Sequence, residues 1–191
     1  MIAIAISGAP GAGKGTQSNL LVEKYDFCYI STGDALRSEI ANETELGKSV
    51  KEIIDRGDLV SDEIVGKIIE NVVKKAKKDK KTGILFDGYP RTLGQAKMLD
   101  NLLKKEDIEF KGLIMLEVEE QILIDRILKR ALDSGRSDDN EVSVKQRLQS
   151  YKDKTTPIFD YYKSQNKYYG INGVGEIKDI FKLISEVIDK F

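Results

Sequence analysis

The sequence predicts an α/β fold in which five parallel strands form a sheet covered by helices on both faces. Three observations carry that prediction. Short apolar runs at 2–6, 27–30, 83–86, 112–118 and 168–171 do not alternate with polar residues, as befits strands buried on both faces. The segments between them have helical periodicity, so crossover helices return the chain for parallel pairing. The first run also leads straight through GAPGAGKGT into a helical segment, an arrangement that aims backbone N–H groups at an anion.

Taken in order, residues 2–6 (IAIAI) open the sheet and 16–24 supply the first crossover. The run 27–30 (FCYI) is the second strand. The chain then stays helical, with segments at 34–56 and 61–78, enough for a small helical lobe inserted before the third strand at 83–86. Helix 93–105, strand 112–118 and helix 119–132 follow. After them DSGRSDDN at 133–140 packs Gly, Ser, Asp and Asn together, a turn or hinge signal on the same side of the sheet. Helical periodicity at 141–165, the strand at 168–171 and a helix at 176–190 complete the chain. The lysine run at 74–81 reads as a solvated helix end, where cations suit the helix dipole. At 191 residues this makes one domain with insertions.

Composition excludes several kinds of chemistry. Histidine is absent, so imidazole acid–base catalysis is excluded and catalysis must rest on carboxylates, lysine, arginine or a metal ion. The one cysteine, Cys28, permits no internal disulfide, and no structural zinc is expected without Cys and His ligands. Cys28 itself is expected to be a buried core thiol. Lys plus Arg, 31 residues, nearly balances Asp plus Glu, 32, which argues for a small partner rather than nucleic acid or a membrane surface. No run reaches the roughly 20 apolar residues of a membrane span, and the start lacks the marks of a signal peptide, so a cytoplasmic location is expected.

In GAPGAGKGT, Gly8, Gly11 and Gly13 permit the tight turn and Lys14 sets a charge between terminal phosphates. Gly15 separates that lysine from the hydroxyl of Thr16, a variant of the usual phosphate-binding (P-loop) pattern. The arginines point to a second phosphate site. Only seven of the 31 basic residues are arginine, so their placement is informative: Arg37, Arg91, Arg126, Arg130, Arg136 and Arg147 cluster near strand ends and the turn-rich segment. Their planar forks bind phosphate oxygens in pairs, whereas Arg56 is read as an ordinary surface ion-pair residue. Asp87, ending the third strand, is placed to hold Mg2+ through water, near Thr16.

Together GAPGAGKGTQ at 8–17, STGDALR at 31–37, DGYPRT at 87–92 with Gln95, and DRILKR at 125–130 with SGRSDDN at 134–140 resemble the nucleoside monophosphate kinases, and among them the short-lid adenylate kinases. The resemblance implies reversible transfer between MgATP and AMP, giving two ADP, by one domain spanning 1–191, with an AMP-binding lobe near 31–60 and a short lid near 130–140. It further implies that Gly11, Ala12, Gly13, Lys14, Gly15 and Thr16 hold the ATP phosphates, with Arg126 and the backbone of Gly175 at its adenine. Thr32, Arg37, Val60, Gly88, Arg91 and Gln95 should meet AMP, with Gln95 on its base. Arg130, Arg136 and Arg147 should neutralise phosphates once the lid closes, as lids of this family do, and Asp138 and Asp139 should orient them. Lys14, Arg91, Arg126, Arg130, Arg136, Arg147, Asp138 and Asp139 thus form the expected catalytic set. A monomer is expected. Tyr89 and Ala35 depart from the usual family residues, and Ala35 leaves room for a wider AMP pocket. A UMP/CMP kinase is the alternative, disfavoured by Thr32 and Gln95, where that family carries Ala and Asn. A nucleotide-binding module without an acceptor site would leave Arg37, Arg91 and Gln95 unexplained.

Overall fold

The computed structural model describes residues 1–134 and 136–191; Gly135, within the expected lid, lies outside the described residues. The elements run β1 (Ile2–Gly8), α1 (Lys14–Tyr25), β2 (Phe27–Ser31), α2 (Thr32–Ala41), α3 (Glu45–Asp55), α4 (Asp62–Lys78), β3 (Gly83–Asp87), α5 (Leu93–Lys105), β4 (Glu109–Glu117), α6 (Glu120–Ser134), α7 (Glu141–Ser150), a π-helical turn (Tyr151–Thr155), α8 (Pro157–Lys163), β5 (Tyr168–Asn172) and α9 (Ile177–Ile188). The five strands lie in the order β2-β3-β1-β4-β5, every neighbouring pair parallel.

β1 is central and buried on both faces, which is why its sequence is apolar without alternation. Its alanines Ala3 and Ala5 face a core with Phe86, Ile69 of α4, Leu99 of α5 and Tyr162 of α8. Ile4 and Ile6 face the opposite core, with Leu21 of α1, Ile127 of α6 and Ile184 of α9. Because the strands are parallel, their last residues, Gly8, Ser31, Asp87, Glu117 and Asn172, share one edge of the sheet. The chain leaves β1 toward β2 on one side and later fills β4 and β5 on the other. That reversal opens a crevice beyond the carboxyl end of β1.

Local differences from the sequence reading have physical causes. The segment expected as one helix at 34–56 is two, α2 and α3. Glu43 takes a left-handed φ of 51° after Asn42, and the Thr44 side chain caps α3 by accepting from the Gly47 N–H. Gly47 is required there, since a Cβ would lie 2.1 Å from the Glu39 carbonyl oxygen where the two helices meet. The expected helix at 141–165 is likewise interrupted by the π-helical turn before Pro157, which has no N–H to continue the ladder. β4 begins earlier than expected, at Glu109, with an irregularity opposite Ala3 and Ile4 of β1. Cys28 is only partly buried, because β2 is an edge strand, and that burial raises its thiol pKa.

Candidate nucleotide site

The loop between β1 and α1 follows from its glycines. Gly11 has φ of 84°, and α6 packs so closely that a Cβ there would lie 2.8 Å from the Leu123 carbonyl oxygen and 2.9 Å from Ile127 Cγ1. The turn is closed by the Ala12 N–H donating to the Ala9 carbonyl at 3.1 Å. Lys14 begins α1 and folds back over the loop, its Nζ donating to the carbonyls of Gly8 at 2.8 Å and Ala9 at 3.1 Å. Burial lowers its ammonium to about 8; Asp87 opposes the fall, while Arg91, Arg147 and Arg130 add to it.

Two cavities open at this edge. One is lined by Thr32, Leu36, Arg37, Val60, Gly88, Arg91, Gln95, Asp138, Arg147 and Ser150 among others, with an apolar wall from Leu36, Ile54, Leu59, Val60 and Val65. The other is lined by the loop from Pro10 through Thr16, with Asp87, Arg126, Arg130, Arg136, Gly173 and Gly175. Lys14, Arg37, Arg91 and Arg147 line both. Asp139, of the expected site residues, borders neither cavity and sits behind the arginines.

Carboxylates and carbonyls hold these cations in place. Asp139 is buried and forms a paired contact with Arg130, Nε to Oδ2 at 2.7 Å and a terminal nitrogen to Oδ1 at 2.6 Å. Arg147 donates to Asp139 Oδ1 at 3.0 Å and approaches Asp138 Oδ2 at 2.9 Å. Burial would raise the Asp139 pKa, but hydrogen bonds and charge from Arg130 and Arg147 hold it below its usual range. Arg91 Nε donates to the Gly88 carbonyl at 2.6 Å, and its pKa falls to about 10, first through burial and then through Arg147. Both terminal nitrogens of Arg126 donate to the Gly173 carbonyl at 3.2 Å. Arg37 pairs with Asp34, and Arg136 reaches the same carboxylate at 3.7 Å. With Ser137 Oγ donating to Asp55 Oδ1 at 2.6 Å, the turn-rich segment touches both α2 and α3. Arg56 lies outside both cavities, 3.6 Å from Asp58 in an exposed pair.

Several residues at the site were not singled out from sequence. Tyr29 donates to Asp87 Oδ2 at 2.9 Å, and burial with the Asp87 charge holds its phenol well above the usual range, so it remains a donor. Ser18 Oγ reaches the same oxygen at 3.5 Å. The π-helical turn brings Thr155 Oγ1 within 3.0 Å of the Arg91 carbonyl. Asp62 binds Thr92 and Gln95. None carries a sequence signal, because each partner lies at least 30 residues away in the chain. Among the described residues no cluster of three or more acidic, Cys or His side chains could chelate a metal directly. Asp87 and Thr16, one carboxylate and one hydroxyl, both line the loop cavity and could hold a hydrated divalent cation through water.

The family model described as adenylate kinase matches residues 6–167. An adenylate kinase of Flavobacterium psychrophilum is 48% identical over 190 residues, covering 99% of each chain. One of Bacteroides thetaiotaomicron is also 48% identical over 190 residues, the whole of both chains. One of Stenotrophomonas maltophilia is 43% identical over 177 residues, 93% of this chain and 94% of the other.

Proposed function

Because this chain belongs to the adenylate kinase family, we propose that its two cavities hold the two nucleotides of the family reaction and that the cations lining both attend the transferred group. The enzyme moves a phosphoryl group from ATP to AMP, giving two ADP. The loop cavity takes ATP: Gly11 to Thr16 and Arg130 meet the phosphates, with Arg126 and Gly175 near the base. The other cavity takes AMP, its base against the apolar wall with Thr32, Val60 and Gln95, its phosphate toward Arg37, Gly88 and Arg91. Residues 31–60 then act as the AMP-binding lobe and 130–140 as the lid. The observation that carries this reading is that Lys14, Arg37, Arg91 and Arg147 line both cavities. A module with one nucleotide site has no use for such a shared wall.

An AMP phosphate oxygen attacks the γ-phosphorus in line, and the bond to the β,γ-bridging oxygen breaks, leaving its electron pair on ADP. The protein supplies alignment and charge rather than covalent chemistry, so the absence of histidine is no obstacle. Lys14, Arg91, Arg130, Arg136 and Arg147 neutralise charge on the equatorial oxygens, with Asp138 and Asp139 fixing the arginines. Asp87 and Thr16 would hold, through its waters, the Mg2+ that accompanies ATP, which would supply further neutralisation of phosphate charge. Closure of the lid excludes water as a competing acceptor. One chain lines both cavities, which supports a monomer as the working form, and we assign it to the cytoplasm in keeping with the family.

The test is diphosphate formation from ATP and Mg2+ with AMP, UMP, CMP or GMP in turn. Turnover with AMP should stand well above the rest. Comparable rates with UMP or CMP would reject the base assignment, and hydrolysis of ATP indifferent to any monophosphate would reject the acceptor cavity.

A further inference from the structure

We propose that Asp62 sets the base preference of the AMP cavity by fixing which way round the Gln95 amide lies. This rests on the reading above that Gln95 faces the AMP base. Gln95 is buried in the first turn of α5, where its Oε1 accepts from the Arg91 backbone N–H at 2.8 Å and its Nε2 donates to Asp62 Oδ1 at 2.9 Å. A backbone N–H only donates and a carboxylate only accepts, so this pair of partners distinguishes the two ends of the amide. Reversal would set donor against donor and acceptor against acceptor.

The carboxylate is itself held. Asp62 Oδ2 accepts from Thr92 Oγ1 at 2.9 Å, and that same hydroxyl oxygen caps α5 by accepting from the Gln95 N–H at 3.0 Å. Carboxylate, cap and amide therefore close a ring that joins the first residue of α4 to the first turn of α5.

What the cavity has left to offer follows from the inventory of groups. Gln95 keeps one N–H and one lone pair. Thr32 spends its only hydroxyl proton on the Gly88 carbonyl at 3.1 Å, so it has only acceptor capacity to give. The polar edge of the cavity is thus one amide donor beside two acceptors. A 6-aminopurine, with N1 accepting and its amino group donating, matches that edge. A 6-oxopurine, with N1 protonated and O6 accepting, meets like with like at both positions. The geometry therefore makes Asp62, which borders neither cavity, a positioning residue for discrimination between 6-amino- and 6-oxopurine monophosphates.

AMP and inosine monophosphate differ only at this edge and are the probes. Their kcat/KM values, with ATP and Mg2+, are compared in the parent enzyme, Asp62→Asn, Asp62→Glu and Gln95→Ala. Asp62→Asn still accepts from Thr92, but its amide can serve a reversed Gln95, so that only the Arg91 N–H still opposes reversal. It should cut the AMP preference about tenfold or more, the KM for AMP rising and that for inosine monophosphate falling, with the KM for ATP unmoved. Asp62→Glu, again only an acceptor, should restore much of the preference, which a merely structural role would not predict. If the Asn variant does not accumulate, Asp62→Ser carries the same expectation. An unchanged preference in Asp62→Asn, with the preference lost in Gln95→Ala, would overturn the role of Asp62 and leave Gln95 as the base reader. A preference retained in Gln95→Ala would overturn both.

Discussion

Binding of ATP at alkaline pH should draw a proton onto Lys14. The side chain lies against the carbonyls of Gly8 and Ala9, and burial holds its ammonium at about 8 rather than 10.5. At pH 9 roughly nine-tenths of the free protein therefore carries Lys14 neutral. A bound triphosphate favours the charged form and carries the group back up. About 0.9 proton should then be taken up per ATP at pH 9, about 0.5 at pH 8 and about 0.1 at pH 7. By linkage the apparent Kd for ATP rises about fivefold between pH 8 and 9, or roughly 1 kcal/mol. Titration calorimetry at pH 9 in buffers of differing ionisation enthalpy reads the uptake directly. Lys14→Arg, which keeps its proton across this range, is the control and should leave only the roughly 0.1 proton that Arg91 can take up at pH 9, with a nearly flat Kd. Uptake below about 0.2 at pH 9 in the parent enzyme would refute the depressed ammonium. The same shift bears on stability. The folded pKa lies below the unfolded value, so the charged lysine opposes folding below about pH 8, and that penalty is relieved as pH rises toward 10.5.

Replacing Arg91 or Arg130 by Ala should lower kcat/KM by roughly a hundredfold to ten-thousandfold, because each leaves phosphate charge uncompensated in a closed site; unchanged steady-state kinetics in both would remove them from the chemistry. Asp139→Asn should destabilise the fold by about 3 kcal/mol in urea titrations at pH 7, since Arg130 and Arg147 lose their shared buried partner. The Asp139 pKa is depressed, so its contribution is present above the usual carboxylate range and is lost as pH falls through the folded value; the gap between parent and variant should narrow in acid. Gly11→Ala forces a methyl toward Leu123 and Ile127 at a φ of 84°, and calorimetric unfolding should show a loss of about 1–3 kcal/mol together with weaker ATP binding. Tyr29→Phe removes the phenol donor from Asp87 Oδ2, and the Mg2+ concentration for half-maximal binding of MgATP, read by calorimetry, should rise roughly threefold or more; an unchanged value would mean that the phenol does not orient the carboxylate.

What could be read from sequence was whatever is local in the chain. The inner strands β1, β3 and β4 announced themselves because burial on both faces leaves continuous apolar runs, and the phosphate loop because its glycines, lysine and hydroxyl are contiguous. The arginines stood out through their scarcity against lysine. The break between α2 and α3 was hidden because NET carries neither Pro nor Gly, although Thr44 is a capping residue three positions before Gly47. The π-helical turn was missed, although Pro157 stands in the sequence, because Leu148, Tyr151, Ile158 and Tyr162 keep apolar residues at helical spacing across it. Cys28 was misjudged because only topology makes β2 an edge strand. Asp62 and Tyr29 belong to the tertiary structure alone: an aspartate in a helix first turn and a tyrosine in a strand have ordinary local reasons to be there, and nothing nearby names Gln95 or Asp87 as their partners.

The wall of Lys14, Arg37, Arg91 and Arg147 between the cavities has a consequence for the direction of reaction. In the proposed reaction the migrating phosphoryl group would carry its negative charge across that wall, so the sum of anionic charge facing the cations would be the same with ATP and AMP bound as with two ADP. Cations that touch both sides would meet an equally well matched charge at either end of the journey. Neither pair of nucleotides would be favoured by these cations as a whole, and the flow of phosphate would follow whichever nucleotides the surroundings supply in excess.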